Sequence, residues 1–111
     1  MNNLTKTEFM KIYDEGKNLT DKPIFIKFYA TWCGPCKMYD QVLSKFISEY
    51  ENKINLYGVD IEKEPQIASL FNVMSVPTTT TISKSGDIFS QPGVLNEDTL
   101  KYFLEGLLQK K

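Results

Sequence analysis

Trp32-Cys33-Gly34-Pro35-Cys36 holds both cysteines of the 111-residue chain, two residues apart, just after the apolar run Pro23-Ile24-Phe25-Ile26-Lys27-Phe28-Tyr29-Ala30. A disulfide closing so small a ring removes little entropy from the unfolded chain. Stabilising bridges close longer loops and come in sets in small secreted domains. The pair therefore points to chemistry. Structural zinc usually takes four nitrogen or sulfur ligands, but the chain has two cysteines and no histidine. Lys37 stands where a haem-attachment motif needs histidine, and without histidine the usual Cys-His and Ser-His-Asp nucleophiles are excluded. Exchange between a dithiol and a disulfide remains.

Pro35 has a fixed φ and no N–H, which suits the first turn of a helix beginning beside Cys33 and running through Cys36. Cys33 then sits, exposed, at the positive end of the helix, where free N–H groups favour its thiolate. Cys36 lies inside the first turn as the resolving thiol.

The flanking sequence reads as alternating strands and helices. Thr5-Lys6-Thr7-Glu8 is a capping box opening a helix that carries Phe9, Ile12 and Tyr13 and ends near Gly16. Asn18 to Lys22 is a polar turn, and Pro23 to Ala30 has the near-continuous apolar character of a central strand buried on both faces, with Lys27 as the anomaly. Tyr39, Val42, Leu43, Phe46, Ile47 and Tyr50 form the stripe of an amphipathic helix. Ile54 to Asp60 is the next strand, and a short helix from Pro65 buries Ile67, Leu70 and Phe71. This order requires a parallel pair in a covered sheet. The β-branched run Thr78 to Ser83 is a strand, returned by the turn at Lys84-Ser85-Gly86-Asp87 into an antiparallel hairpin from Ile88. Asn96 caps a last helix presenting Leu100, Phe103, Leu104, Leu107 and Leu108.

Trp32-Cys33-Gly34-Pro35-Cys36-Lys37 after a hydrophobic strand resembles the thioredoxin family, and the likeness runs from about Pro23 to the C-terminus. Phe28-Tyr29-Ala30-Thr31, Val59-Asp60, Val76-Pro77-Thr78, Lys84-Ser85-Gly86 and Gly93 are further matches. The resemblance implies an α/β thioredoxin fold: a mixed sheet of four or five strands with helices on both faces, and a first strand short or absent because about three residues precede the first cap. It implies a cis bond between Val76 and Pro77, facing Cys33, and a substrate-binding surface of Trp32, Val76, Pro77 and Gly93. It also implies disulfide reduction through Cys33 and Cys36, with Trp32, Gly34 and Pro35 tuning the site.

The departures are specific. Gln41 replaces a kinking proline common in the family, which implies a straighter helix. The span from Pro77 to Gly86 is one residue longer than in many relatives, room for a bulge. Lys27 stands six residues before Cys33, where such proteins usually carry a buried acid that exchanges protons with the resolving cysteine. Leu56 stands where the family often has a lysine. Two readings of Lys27 follow: its stem is buried while the ammonium snorkels to water, or it stays near the cysteines and eases thiolate formation.

The chain is 41% hydrophobic and 24% charged with a net charge of −1, which suits one domain over residues 1–111 and gives no footprint for nucleic acid or an anionic membrane. No repeat, linker or second domain appears. There is no signal-peptide pattern and no stretch near the roughly 20 apolar residues of a membrane span, so a cytoplasmic monomer is expected, with no metal and no cofactor of its own. Its partners would be disulfide-containing proteins and, by family likeness, an NADPH-dependent flavoprotein thioredoxin reductase. Two rival classes stand beside this reading. One is a specialised redox protein, such as an oxidase, isomerase or cytochrome-maturation reductase. Gly34-Pro35 favours a reductant near roughly −270 mV over an oxidant near about −120 mV. The other is a non-catalytic binding module.

Overall fold

The apolar run forms the middle of a five-stranded sheet. The computed structural model describes residues 1–109, so Lys110 and Lys111, included in the expected domain, lie outside the described residues. In chain order the elements are β1 (Asn2–Asn3), α1 (Lys6–Ile12), β2 (Tyr13–Asp14), β3 (Lys17–Asn18), β4 (Ile24–Tyr29), α2 (Gly34–Tyr50), β5 (Asn55–Asp60), α3 (Pro65–Leu70), β6 (Thr78–Ile82), β7 (Ile88–Pro92) and α4 (Glu97–Gln109). The main sheet runs β1-β5-β4-β6-β7. β5 is parallel to both β1 and β4, whereas β6 is antiparallel to β4 and to β7. The fold is the mixed, helix-covered sheet that the sequence implied, and its first strand is two residues long.

Alternation along β4 builds the two layers. Ile24, Ile26 and Phe28 pack with Phe9 of α1 and with Ile67 and Ala68 of α3. Phe25 packs on the other face with Tyr39, Leu43 and Tyr50 of α2 and with Leu100, Leu104 and Leu107 of α4. The four threonines of β6 are buried, and their β-branched side chains suit a pleated, covered strand. Thr5 closes its capping box with Glu8 at the head of α1, and Asn96 Oδ1 accepts from the Thr99 N–H at 2.8 Å at the head of α4. α2 runs unbroken through Gln41 over its 17 residues. Among the described residues no helix is long and apolar enough to cross a membrane.

Local readings of the sequence need correction at three places. α1 stops at Ile12 rather than near Gly16, because Tyr13–Asp14 pairs antiparallel with Lys17–Asn18 around Glu15 and Gly16, both at positive φ. Two such residues make the tight turn whose twist matches a hairpin. Leu70 is 58% exposed: α3 is only six residues long, and Ile67 and Phe71, four apart, fill its inward face. The β6–β7 register is unbroken from Thr78↔Pro92 to Ile82↔Ile88, so there is no bulge. The extra length goes into the turn, where the Ser83 N–H donates to Asp87 O and the Gly86 N–H to Ser83 O.

Candidate functional site

Cys33 and Cys36 are joined in a disulfide at the head of α2, with their Cα atoms 5.3 Å apart. Cys33 is the N-cap. Its backbone is extended, its N–H donates to Ala30 O at the end of the central strand, and its Sγ accepts from the Cys36 N–H at 3.1 Å. Pro35 occupies the first helical turn, where its missing N–H costs nothing. The helix thus aims one of its free N-terminal N–H groups, and the positive end of its dipole, at one sulfur.

Both cysteines are buried, at 3% and 2% exposure, in a cluster with Ala30 that Tyr29, Ile61 and Val76 pack against. The expectation of an exposed Cys33 is therefore corrected for this disulfide state. What separates the two sulfurs is position: Cys33 caps the helix and Cys36 is inside it. Trp32 beside them is 69% exposed, and Gly34 and Pro35 are exposed as well.

The other sequence-picked residues come to the same end of the sheet. The Val76–Pro77 bond is cis, and Val76 O lies 3.7 Å from Cys33 Sγ. Gly93, at φ +94°, donates its N–H to Pro77 O at 2.9 Å, which ties the end of β7 to the Val76–Pro77 loop. Trp32, Met74 and Val94, in the loops that carry Cys33, Val76 and Gly93, are exposed apolar side chains.

Lys27 is 6% exposed, so its stem is buried, and its ammonium pairs with Asp40, whose side chain is 52% exposed. Its Nζ donates to Asp40 Oδ1 and lies 4.4 Å from the centroid of the Tyr29 ring. Asp40 was missed by sequence reasoning. The available signal was its place four residues after Cys36, one helical turn along α2. Beneath the same helix, Tyr39 Oη and Thr79 Oγ1 share a buried hydrogen bond of 2.6 Å, and burial pushes the Tyr39 phenol up to about 12 against the opposing effect of that bond.

The family model described as Thioredoxin matches residues 1–106. The chain belongs to the thioredoxin family. A thioredoxin of Borreliella burgdorferi is 38% identical over 108 residues, 92% of each chain. A bifunctional thioredoxin reductase/thioredoxin of Mycobacterium leprae is 42% identical over 59 residues, 53% of this chain and 13% of that protein. The crystal structure of a chloroplastic thioredoxin z superposes with a TM-score of 0.81 over 96% of this chain and 93% of that one; at 18% identity it speaks for the thioredoxin fold. With a cysteine pair that closes as a disulfide, the protein is a thiol-disulfide oxidoreductase of the thioredoxin type, acting on protein disulfides.

Proposed function

We propose that residues 1–111 act as one thioredoxin domain, in which Cys33 attacks and Cys36 resolves. The observation that carries this reading is the Cys36 N–H directed at Cys33 Sγ, which stabilises charge on Cys33 once the pair is reduced. Cys33 thiolate attacks one sulfur of a substrate disulfide and expels the other as a thiol. Cys36 thiolate then attacks Cys33 Sγ, which re-forms the protein disulfide and releases the second substrate thiol. Two electrons pass from protein to substrate. An extended substrate segment would lie along Val76, with Trp32, Pro77 and Gly93 framing it, a short case of strand addition. Trp32, Gly34, Pro35 and Lys27 tune the pair.

The electrons are restored by an NADPH-dependent flavoprotein thioredoxin reductase. The Mycobacterium leprae relative, in which reductase and thioredoxin are one protein, supports this pairing. The protein works as a cytoplasmic monomer in electron transport and redox homeostasis, where a reducing compartment keeps the dithiol available. A redox titration of the Cys33/Cys36 pair against glutathione tests the reading: a potential near roughly −270 mV marks a reductant, and one near about −120 mV marks an oxidant and overturns it.

A further inference from the structure

Lys27 brings a charge into the layer between the sheet and α2, and an ammonium there is strongly disfavoured without a counter-ion. Asp40 supplies it. On a helix, side chains four apart are neighbours, so the Asp40 carboxylate belongs to the same strip of α2 as Cys36. On the other side of the ammonium is the Tyr29 ring, which itself packs against the cluster of Ala30, Cys33 and Cys36. The ammonium is held between a carboxylate one turn from Cys36 and a ring packed against the cluster that holds the cysteines.

The two charges do not cancel inside the protein. The Lys27 side chain is 8% exposed and that of Asp40 is 52% exposed. Water screens the carboxylate and reaches the ammonium poorly, so the field on the protein side is positive.

We propose that Asp40 is a positioning residue for the resolving step: by tethering Lys27 beneath α2 it keeps a positive charge beside Cys36, favouring its thiolate when the mixed disulfide must be broken. The inference rests on the assignment of Cys36 as the resolving thiol. In that step the Cys36 proton goes to water, the Cys36 sulfur forms a bond to Cys33 Sγ, the bond from Cys33 to the substrate breaks, and the departing thiolate takes a proton from water. No outside oxidant or reductant is required.

The test uses oxidised glutathione as the disulfide and follows, by quenched mass analysis, first the glutathione mixed disulfide on Cys33 and then its conversion to the protein disulfide. Asp40→Asn should slow the conversion about tenfold, the change in thiolate fraction for a displaced neighbouring charge, while Asp40→Glu restores it. Formation of the mixed disulfide, measured in a Cys36→Ser background, should be unchanged. Lys27→Met should slow conversion equally, and adding Asp40→Asn to it should cost nothing more, because one tethered charge is removed either way. Conversion by Asp40→Asn at the wild-type rate, equal slowing of both steps, or absence of rescue by Asp40→Glu overturns the role of Asp40. Wild-type protein in which Cys36 never resolves the mixed disulfide sinks the assignment of Cys36 as well.

Discussion

The backbone N–H of Cys36 donates to Cys33 Sγ at 3.1 Å, so one sulfur of the pair receives a free amide from the first turn of the helix to which the other belongs. This asymmetry survives reduction of the disulfide, because it is set by the N-cap position of Cys33. The thiolate is the nucleophile in exchange, and a helix N-terminus favours it. Cys36→Ser should therefore accumulate a covalent mixed disulfide with a protein substrate, and Cys33→Ser should accumulate little. Non-reducing gels after incubation with an oxidised substrate read the difference. Equal trapping by both variants would remove the asymmetry from the mechanism.

The architecture was legible because period and punctuation agreed. The apolar run at β4, the stripe on α2 and the caps at Thr5 and Asn96 each specify an element, and Cys33-Gly34-Pro35-Cys36 marks a helix start. What escaped were outcomes set by neighbours in space. Glu15 at positive φ makes a turn that its residue type does not announce. Leu70 sits at an apolar position by spacing, yet a helix too short to complete its stripe leaves it in water. Lys27 was visible as an anomaly, but its partner is 13 residues away on another element, a distance no local pattern spans.

Tyr39 and Tyr50 make stability fall in alkali. Both phenols are pushed up to about 12, Tyr39 by burial and Tyr50 by burial reinforced by its hydrogen bond to Glu105 and by the charges of Glu105 and Glu49. The unfolded chain releases these protons near about 10. Between about 10 and 12 the unfolded state therefore binds fewer protons than the folded one, so stability declines as pH rises through that window and is intact below it. Each tyrosine contributes a slope of about 1.4 kcal/mol per pH unit at most. Urea unfolding of wild type at several pH values should show the decline, and Tyr39→Phe should make it shallower while leaving the part due to Tyr50. An unchanged slope in Tyr39→Phe contradicts the assignment.

Gly86 and Gly93 both have positive φ but differ in surroundings. A Cβ on Gly86 would come 2.0 Å from Gly16 O, in the turn of the other hairpin, whereas one on Gly93 would meet nothing within 4 Å. Alanine at either site carries backbone strain of about 1–3 kcal/mol. Gly86→Ala also forces two backbones apart, adding about 1–3 kcal/mol. Chemical denaturation should rank Gly86→Ala as the more damaging. Turnover of a protein disulfide should rank them the other way once both are folded, because the Gly93 N–H holds Pro77 O, one residue after the Val76 carbonyl that faces Cys33 Sγ. Equal denaturation midpoints would show that the hairpin contact yields without cost.

Lys27→Met separates the stability of the buried pair from its effect on the cysteines. The lysine stem is already packed in the layer under α2, and methionine fills a similar volume with a flexible apolar chain. Removing one partner of a buried ion pair is normally damaging because the other charge is left dry. Here the survivor is Asp40, whose side chain is 52% exposed and regains water. The loss of the cation–π contact with Tyr29, about 0.5–1 kcal/mol, is offset by relief of the ammonium's desolvation. Denaturant unfolding should therefore find Lys27→Met within about 1 kcal/mol of wild type. Asp40→Ala leaves the ammonium without its counter-ion, so it must leave the layer under α2 and unpack its stem, and this variant should lose more, about 1–3 kcal/mol. Thiolate absorbance in a reduced Cys33→Ser background, which reports Cys36 alone, should fall when Lys27→Met is added at a pH where Cys36 is partly ionised, since the positive charge is gone. A Lys27→Met protein that unfolds easily, or whose thiolate absorbance matches that background, would make the pair a structural tie alone.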